Sequence, residues 1–392
     1  MEFPSEHSHN SIDCGLASPR HLPTGSCENG IDSAPRFGMF VLPVMPENSC
    51  FHAQAELQAV IEDAEAAEIA GLDHVWVAEH HGTRYGGACP SGLLLLSHLA
   101  GRTSRIRLGT AACILPLHEP TRLAEEALLL DQLTRGRLEV GVGRGFLAVD
   151  FAALGVDMGE RHVRFERGLR VLQYALNDTA EPIKALYPPR FQKKGIPMWG
   201  AAATSIESIS QFAKLGIGIM LNPYTRTRDE VGRAIALYRE TLSAAHPTVQ
   251  PRILIHEHVY AAETTDRARS EPRRFLMTYL AALKEASSES CGEQQTQHST
   301  GPDNYDDMYP ERVAFGTPDT LRARIADWNA SGVTDFAFSW RFGGLPSDIV
   351  RRSLDLFSTE VIPHFRRGRE QVKRVDDSPA CAGSNLIPAG NH

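Results

Sequence analysis

The sequence predicts an α/β fold, an eightfold (β/α)8 TIM barrel with a lid insertion after strand seven. Three observations carry that expectation. Short apolar runs alternate with amphipathic segments eight times over about 330 residues, the pattern of parallel βα units. The first strand ends in Leu42-Pro43-Val44, without the glycine-rich fingerprint that follows the first strand of a doubly wound sheet. The residues that carry chemistry fall just after strands, on the loops where such barrels keep their sites.

Composition sets outer bounds. The 392-residue chain is 42% hydrophobic and 22% charged, enough for a globular fold with a sizeable core. Its net charge of −8 and pI near 6.1 argue against nucleic acid and anionic membranes as partners, since both select basic patches. No apolar run reaches the roughly 18 residues that a bilayer requires. The seven cysteines are scattered, with no Cys-x-x-Cys, as expected of reduced thiols in the cytoplasm. Residues 1–35 are polar and lack the apolar stretch of a secretory signal; they read as a disordered leader or a misplaced start. Residues 36–367 form the expected barrel domain, and 368–392 a frayed, polar tail.

The elements follow in order. Phe37 to Pro43 reads as the first strand, and Ala53 to Ala70 as a helix that Gly71 stops. His74-Val75-Trp76-Val77 is a β-branched, aromatic second strand. A loop through Gly86, Gly87 and Pro90 leads to a helix ending near Arg102. Arg105 to Leu115 is the third strand and Glu119 to Leu133 the third helix. Arg137 to Gly145 is the fourth strand, followed by a helix from Arg161 to Leu176. Pro197 to Ala202 is strand five, Ser205 to Leu215 its helix, Ile217 to Leu221 strand six, and Asp229 to Ala245 helical. Arg252 to Tyr260 is strand seven, with one helix from Thr265 to Ala286 after it. Thr320 to Ser331 is helical, Asp335 to Trp340 is strand eight, and Ile349 to Phe365 is the last helix. Lys284 to Asp307 is polar and too long for an ordinary connection; a mobile lid over about 284–310, or plain disorder, is expected there.

The second strand runs directly into Glu79-His80-His81. A buried strand has no use for three consecutive ionisable groups unless they line a site. Histidine titrates near neutrality, so an imidazole pair beside a carboxylate suits proton transfer; the plain alternative is a solvated strand end. Gly141-Val142-Gly143-Arg144-Gly145 ends strand four. Its glycines allow close approach to a ligand and its forked guanidinium suits a phosphate, although glycines also relieve crowding at a barrel rim. Ala203-Thr204-Ser205-Ile206-Glu207-Ser208 opens the next helix, where free N–H groups and hydroxyls bind phosphate or simply cap the helix. Arg144 and Ser205 stand on neighbouring strand ends, so both could hold one phosphate.

His256-Glu257-His258 puts two imidazoles on one face of strand seven, as a metal pair would need. No further ligand set accompanies it, so a structural or substrate-lining role is expected and no metal. Arg341-Phe342-Gly343-Gly344 reaches the same rim and takes no assigned role.

Glu79-His80-His81, Gly109-Thr110-Ala111-Ala112, Leu130-Asp131-Gln132-Leu133-Thr134-Arg135-Gly136-Arg137 and Gly143-Arg144-Gly145 together resemble the bacterial luciferase-like family of flavin monooxygenases, over roughly Arg36 to Phe365. That resemblance implies an eightfold barrel with a lid after strand seven, and reduced FMN (FMNH2) as cosubstrate from a separate flavin reductase. It implies O2 as oxidant, with one oxygen atom passed to a small organic substrate through a flavin C4a-hydroperoxide. A homodimer is the family's habit. His80 matches the catalytic imidazole, with Glu79 and His81 as flanking site residues. Ala111-Ala112 matches the pair whose peptide bond is often cis and lies against the flavin ring. Arg144, Ser205 and Ser208 match the phosphate-gripping positions, with Thr204 beside them. The light-emitting members carry an aromatic where this chain has Gly82 and a reactive cysteine where it has Gly143; both departures speak against light emission and a long-chain aldehyde. Three other readings stay open: F420-dependent hydride transfer in a related barrel, a metal-dependent barrel hydrolase built on His256 and His258, and a flavin-storing partner subunit without turnover.

Overall fold

The apolar runs of the sequence are too uniformly apolar for half-exposed strands, and in the computed structural model of the chain they become parallel strands buried on both faces. The structure describes residues 34–45, 53–177, 186–202, 205–288 and 304–366. The leader expected at 1–35, apart from its last two residues, and the tail expected at 368–392 lie outside them.

The strands are β1 (Arg36–Val41), β2 (His74–Val77), β3 (Arg107–Thr110), β4 (Cys113–Ile114), β5 (Leu138–Gly143), β6 (Met198–Ala201), β7 (Gly218–Leu221), β8 (Ile253–Ala261), β9 (Ala314–Gly316) and β10 (Asp335–Ser339). The helices are α1 (Ala53–Ile69), α2 (Gly92–Arg102), α3 (Pro120–Thr134), α4 (Ala148–Ala153), α5 (Arg161–Asn177) and α6 (Ile206–Lys214). They continue with α7 (Arg228–Ala245), α8 (Thr265–Ser270), α9 (Arg273–Ser288), α10 (Pro318–Ala330) and α11 (Ser347–Glu360). β1, β2, β3, β5, β6, β7, β8 and β10 pair in parallel in that order, and β10 closes the ring on β1. This is the expected (β/α)8 barrel. β4 lies beside β5, and β9 extends the pairing at the far end of β8. No helix among the described residues is long and apolar enough to cross a membrane.

Two tryptophans fill the barrel. Trp76 from β2 and Trp199 from β6 meet edge to face with ring centroids 5.6 Å apart, packed with Met220, Leu254 and Ala337. Both are fully buried, each worth on the order of 5 kcal/mol of apolar transfer. Glycine on the neighbouring strands, at the register positions opposite each tryptophan, makes room: a Cβ on Gly109 would lie 2.2 Å from Trp76, and one on Gly218 2.7 Å from Trp199. Below this layer, at the amino ends of the strands, Asp335 pairs with Arg36 at 2.6 Å and Glu139 with Arg107, while the Trp199 indole N–H donates to Glu139 at 2.6 Å. Burial opposes ionisation of Glu139, but Arg36, His74 and Arg107 together hold its carboxyl below the usual range. Charge therefore seals the closed end of the barrel and leaves the other end for chemistry.

Five elements differ from the sequence reading, and β9 (Ala314–Gly316), where no strand is expected, is one of them. The third strand breaks after Thr110 at a cis Ala111–Ala112 peptide bond and resumes as β4. The single helix expected over Thr265 to Ala286 is two, because Pro272 offers no N–H and crowds the carbonyl of the preceding turn. A short helix, α4, follows strand β5 where no element was expected. The ends of the lid insertion are packed: residues 284–288 finish α9, and beyond the gap Tyr305 and Met308 are buried, with Asp306 between Arg269 and Arg273 at 3.0 and 3.5 Å. The middle of the expected lid, 289–303, lies outside the described residues.

Candidate active site

The carboxyl ends of the strands carry a cluster built from three separate stretches of chain. β2 ends at Val77, and the next residues stay pinned to the sheet: Ala78 N–H donates to Val41 and Ala111 N–H to Val77. Glu79 and His80 are buried and His81 nearly so. Glu79 accepts from His81 Nε2 at 2.9 Å and from His118 Nε2 at 2.8 Å, with the Ile114 N–H at 3.4 Å. Burial alone would raise its carboxyl; the hydrogen bonds from His118 and His81 outweigh that and hold it at about 2. Burial disfavours the charged form of His118 in turn, yet the Glu79 hydrogen bond leaves its imidazole above the ordinary value.

His80 is oriented by a residue the sequence reading missed. Its Nδ1 lies 3.0 Å from Asp150 Oδ2, while the other oxygen of Asp150 accepts the His81 backbone N–H at 2.7 Å. Asp150 sits on α4 and is fully buried. A carboxylate oxygen only accepts, so the His80 hydrogen is placed on Nδ1. Nε2 makes no hydrogen bond among the described residues and is not sealed from solvent. Tyr85 and Phe146 flank the ring, at 5.0 Å and 5.8 Å between centroids. An acid inside the apolar run Ala148 to Ala153 was a visible signal for Asp150. His118, 39 residues from its partner Glu79, gave none.

Arg144 and Ser208 meet where the sequence places them, after the fourth and fifth strands of the barrel, β5 and β6. Arg144 follows β5 and donates to Ser208 Oγ at 2.9 Å and to Gln211 Oε1 at 3.0 Å, with the Phe165 ring 5.1 Å below its guanidinium. Its Nε is buried without a partner. Ser205 caps α6, its hydroxyl accepting from Ser208 N–H at 3.3 Å. Thr204 lies outside the described residues. The glycines of the motif divide between roles. Gly141 has Thr110 O and Met220 where its side chain would be, so it serves packing rather than a ligand. Gly143 faces only Ala112 and Ala201, at 3.5 and 3.4 Å from a built Cβ. The half-buried Ala111 and Ala112 thus lie beside the rim that carries Arg144.

On the opposite side of the mouth, β8 points Leu254, His256 and His258 inward and Glu257 outward, where Arg324 holds it at 2.9 and 2.6 Å. His256 stacks on Phe40 and its Nε2 meets Ser339 Oγ at 2.9 Å. No third His, Cys, Asp or Glu joins the pair into a metal-holding group among the described residues.

Known proteins share this architecture and sequence. An uncharacterised protein of Sinorhizobium fredii is 40% identical over 154 residues, 37% of this chain and 44% of that protein. The chain therefore spans under half the length of that relative. The oxygenase component of the flavin-dependent trigonelline monooxygenase of Acinetobacter baylyi is 23% identical over 85% of this chain and 96% of its own. A monooxygenase of Streptomyces bottropensis, known from its crystal structure, superposes with a TM-score of 0.75 at 28% identity, covering 84% of this chain and 99% of that one. The sequence profile of luciferase-like monooxygenases matches residues 36–335, from the first barrel strand to the start of the last. The barrel and the order of motifs along it have one common explanation: this chain belongs to the luciferase-like monooxygenase family.

Proposed function

We propose that the chain is the oxygenase of a two-component flavin monooxygenase, taking reduced FMN from a separate flavin reductase and using O2 to place one oxygen atom in a small organic substrate. The observation that carries this reading is an arginine beside the serines that open a helix, on the same barrel mouth as an oriented imidazole. Arg144 and Ser208 stand at the ends of β5 and β6, His80 with Asp150 after β2, and Ala111–Ala112 between them after β3. Family membership supports it, as does a relative that is itself an oxygenase component.

The residues fit the cofactor. Arg144 has a buried, unpartnered Nε, while its terminal nitrogens hold Ser208 and Gln211 with Glu166 at 3.8 Å and would turn to a bound anion; Ser205 and Ser208 add hydroxyls at the amino end of α6, where the helix dipole favours an anion. Gly143 keeps a side chain away from Ala112. When bound, reduced flavin supplies the electrons that let O2 give one oxygen atom to the substrate and the other to water. Asp150 keeps the proton on Nδ1 of His80, so that Nε2 can take a proton from the substrate and return it. Glu79, ionised between His81 and His118, anchors the loop that presents His80. The buried Tyr85 and the more exposed Phe146 pack on the imidazole and leave Nε2 open towards the mouth. The working unit in this reading is a cytoplasmic homodimer. Leu94 on α2 and Leu129 and Leu133 on α3 are exposed leucines that this reading assigns to contact with a second copy.

Anaerobic titration with reduced FMN and reduced F420, followed by rapid mixing with oxygenated buffer, tests the reading. Tight binding of reduced FMN and an absorbance transient unlike either free flavin form are expected. Preference for F420 with no oxygen-dependent transient would sink the proposal in favour of hydride transfer.

A further inference from the structure

His258 stands on β8, inside the barrel mouth. It is fully buried, and both its ring nitrogens lack a hydrogen-bond partner. The rings of Tyr279, Phe342 and Tyr224 surround it at 4.4, 5.1 and 5.1 Å. The Tyr224 hydroxyl is likewise buried without a partner. Tyr279 in turn bonds Tyr85 at 2.7 Å, and the Tyr85 ring lies 5.0 Å from that of His80. The cage is thus contiguous with the imidazole that handles protons and lies across the mouth from Arg144.

Leaving a buried donor or acceptor unpaired is costly, and native folds rarely do so without a reason. A phenylalanine would fill the same space among these aromatic rings without that cost. The cage also holds no charge. Burial, helped by neighbouring His256, depresses the His258 imidazole well below its ordinary value, and burial takes His256 to about 3. Burial raises the Tyr85 phenol to about 12 and pushes those of Tyr224 and Tyr279 well up. An anionic or cationic ligand would find no counter-charge on these five side chains, whereas a ring system would find aromatic faces and edges to pack on.

We infer that this cage is the substrate's recognition pocket, and that it takes a neutral ring-bearing molecule whose hydroxyl or carbonyl oxygen pairs with His258 and Tyr224. The assignment rests on the monooxygenase reading, since it places the ring next to His80. It makes His258 a specificity residue and gives its unpaired nitrogens a purpose.

The test uses the full chain with 1-naphthol and 1,4-naphthoquinone as neutral probes, and 1-naphthoate and decanal as contrasts, by titration calorimetry. The expected result is binding of at least one neutral probe, weakened about tenfold by His258→Phe and by Tyr224→Phe, with naphthoate and decanal excluded. His258→Phe should at the same time melt higher than the parent protein, because it removes unpaired buried nitrogens; His258→Gln keeps one donor and should bind between the two. No binding of either neutral probe, equal binding of naphthoate or decanal, or neutral-probe binding indifferent to both Phe variants overturns the inference. Titration of the same variants with reduced FMN separates the two proposals. Lost FMN binding in the parent protein condemns the monooxygenase reading, whereas intact FMN binding with an indifferent cage condemns this one alone.

Discussion

Asp150 and His80 are seventy residues apart in the chain and 3.0 Å apart in the fold, and that one contact sets which ring nitrogen of His80 is available for chemistry. The same carboxylate holds the His81 backbone at 2.7 Å, so it fixes both the tautomer and the loop. Asp150→Asn separates the two effects. An amide oxygen can still hold the His81 N–H, while the amide nitrogen donates to Nδ1 and moves the ring proton to Nε2. Product formation should fall about a hundredfold or more, with reduced-FMN affinity changed less than about threefold. His80→Ala should cost as much, and the double variant no more than either alone. Single-turnover rates beside anaerobic flavin titrations check this; additive losses would show that the residues act separately.

Arg144 distinguishes FMN from riboflavin if its fork grips the phosphate. Charge-assisted hydrogen bonds of this kind are worth roughly 1.5–3 kcal/mol. Arg144→Ala should therefore weaken FMN binding by roughly 10- to 150-fold and leave riboflavin binding almost unchanged. Ser208→Ala removes only the neutral partner that now sits 2.9 Å from Arg144 and should cost a few fold. Equal losses for FMN and riboflavin would mean that Arg144 shapes the pocket without touching the phosphate.

The sequence showed the barrel clearly because its strands are buried on both faces and its helices are amphipathic, so the two periods are written plainly in residues 36–365. It showed the strand-end motifs for the same reason: ionisable groups such as Glu79 and His80 stand out against apolar runs. What it hid depends on contacts between distant stretches. The third strand looked continuous because Ala111 and Ala112 are as apolar as their neighbours; the family resemblance, not the residue pattern, pointed to the cis bond at which it breaks. Asp150 and His118 acquire meaning only once α4 and the turn after β4 fold over the end of β2. Gly141 resembled a ligand contact because glycine records only that something comes close, and here that something is Thr110 and Met220.

Gly109 belongs to the same class, and its role is testable by stability. Any side chain there meets Trp76, whose ring is wedged against Trp199 with nowhere to move. Gly109→Ala should destabilise the fold by about 1–3 kcal/mol through overpacking, read as a lower midpoint in urea at unchanged slope. Gly101→Ala, on α2 with no atom within 4 Å of the new methyl, should instead hold or raise the midpoint. If Gly109→Ala unfolds no more easily than the parent, the barrel interior is looser than its two tryptophans imply.

The Glu79–His118 pair predicts a pH window for stability with two opposed limbs. Glu79 has a folded value near 2 against an ordinary 4.5, so its contribution is complete above about 4.5 and fades as pH falls toward 2. His118 is raised above its ordinary 6.5, so its contribution is complete below about 6.5 and fades as pH rises through the folded value. The network therefore stabilises most between about pH 4.5 and 6.5. Glu79→Gln keeps the shape but removes the charge both limbs depend on. It should lower the melting temperature most inside that window, flatten the acid limb, and return the His118 resonance in an NMR titration toward its ordinary midpoint. His118→Asn should remove the alkaline limb and leave part of the acid limb, because His81 still donates to Glu79 at 2.9 Å. A Glu79→Gln variant whose loss of stability is the same at pH 3, 5.5 and 8 would mean that the carboxylate carries no charge-dependent load, and that His80 is held in place by Asp150 alone.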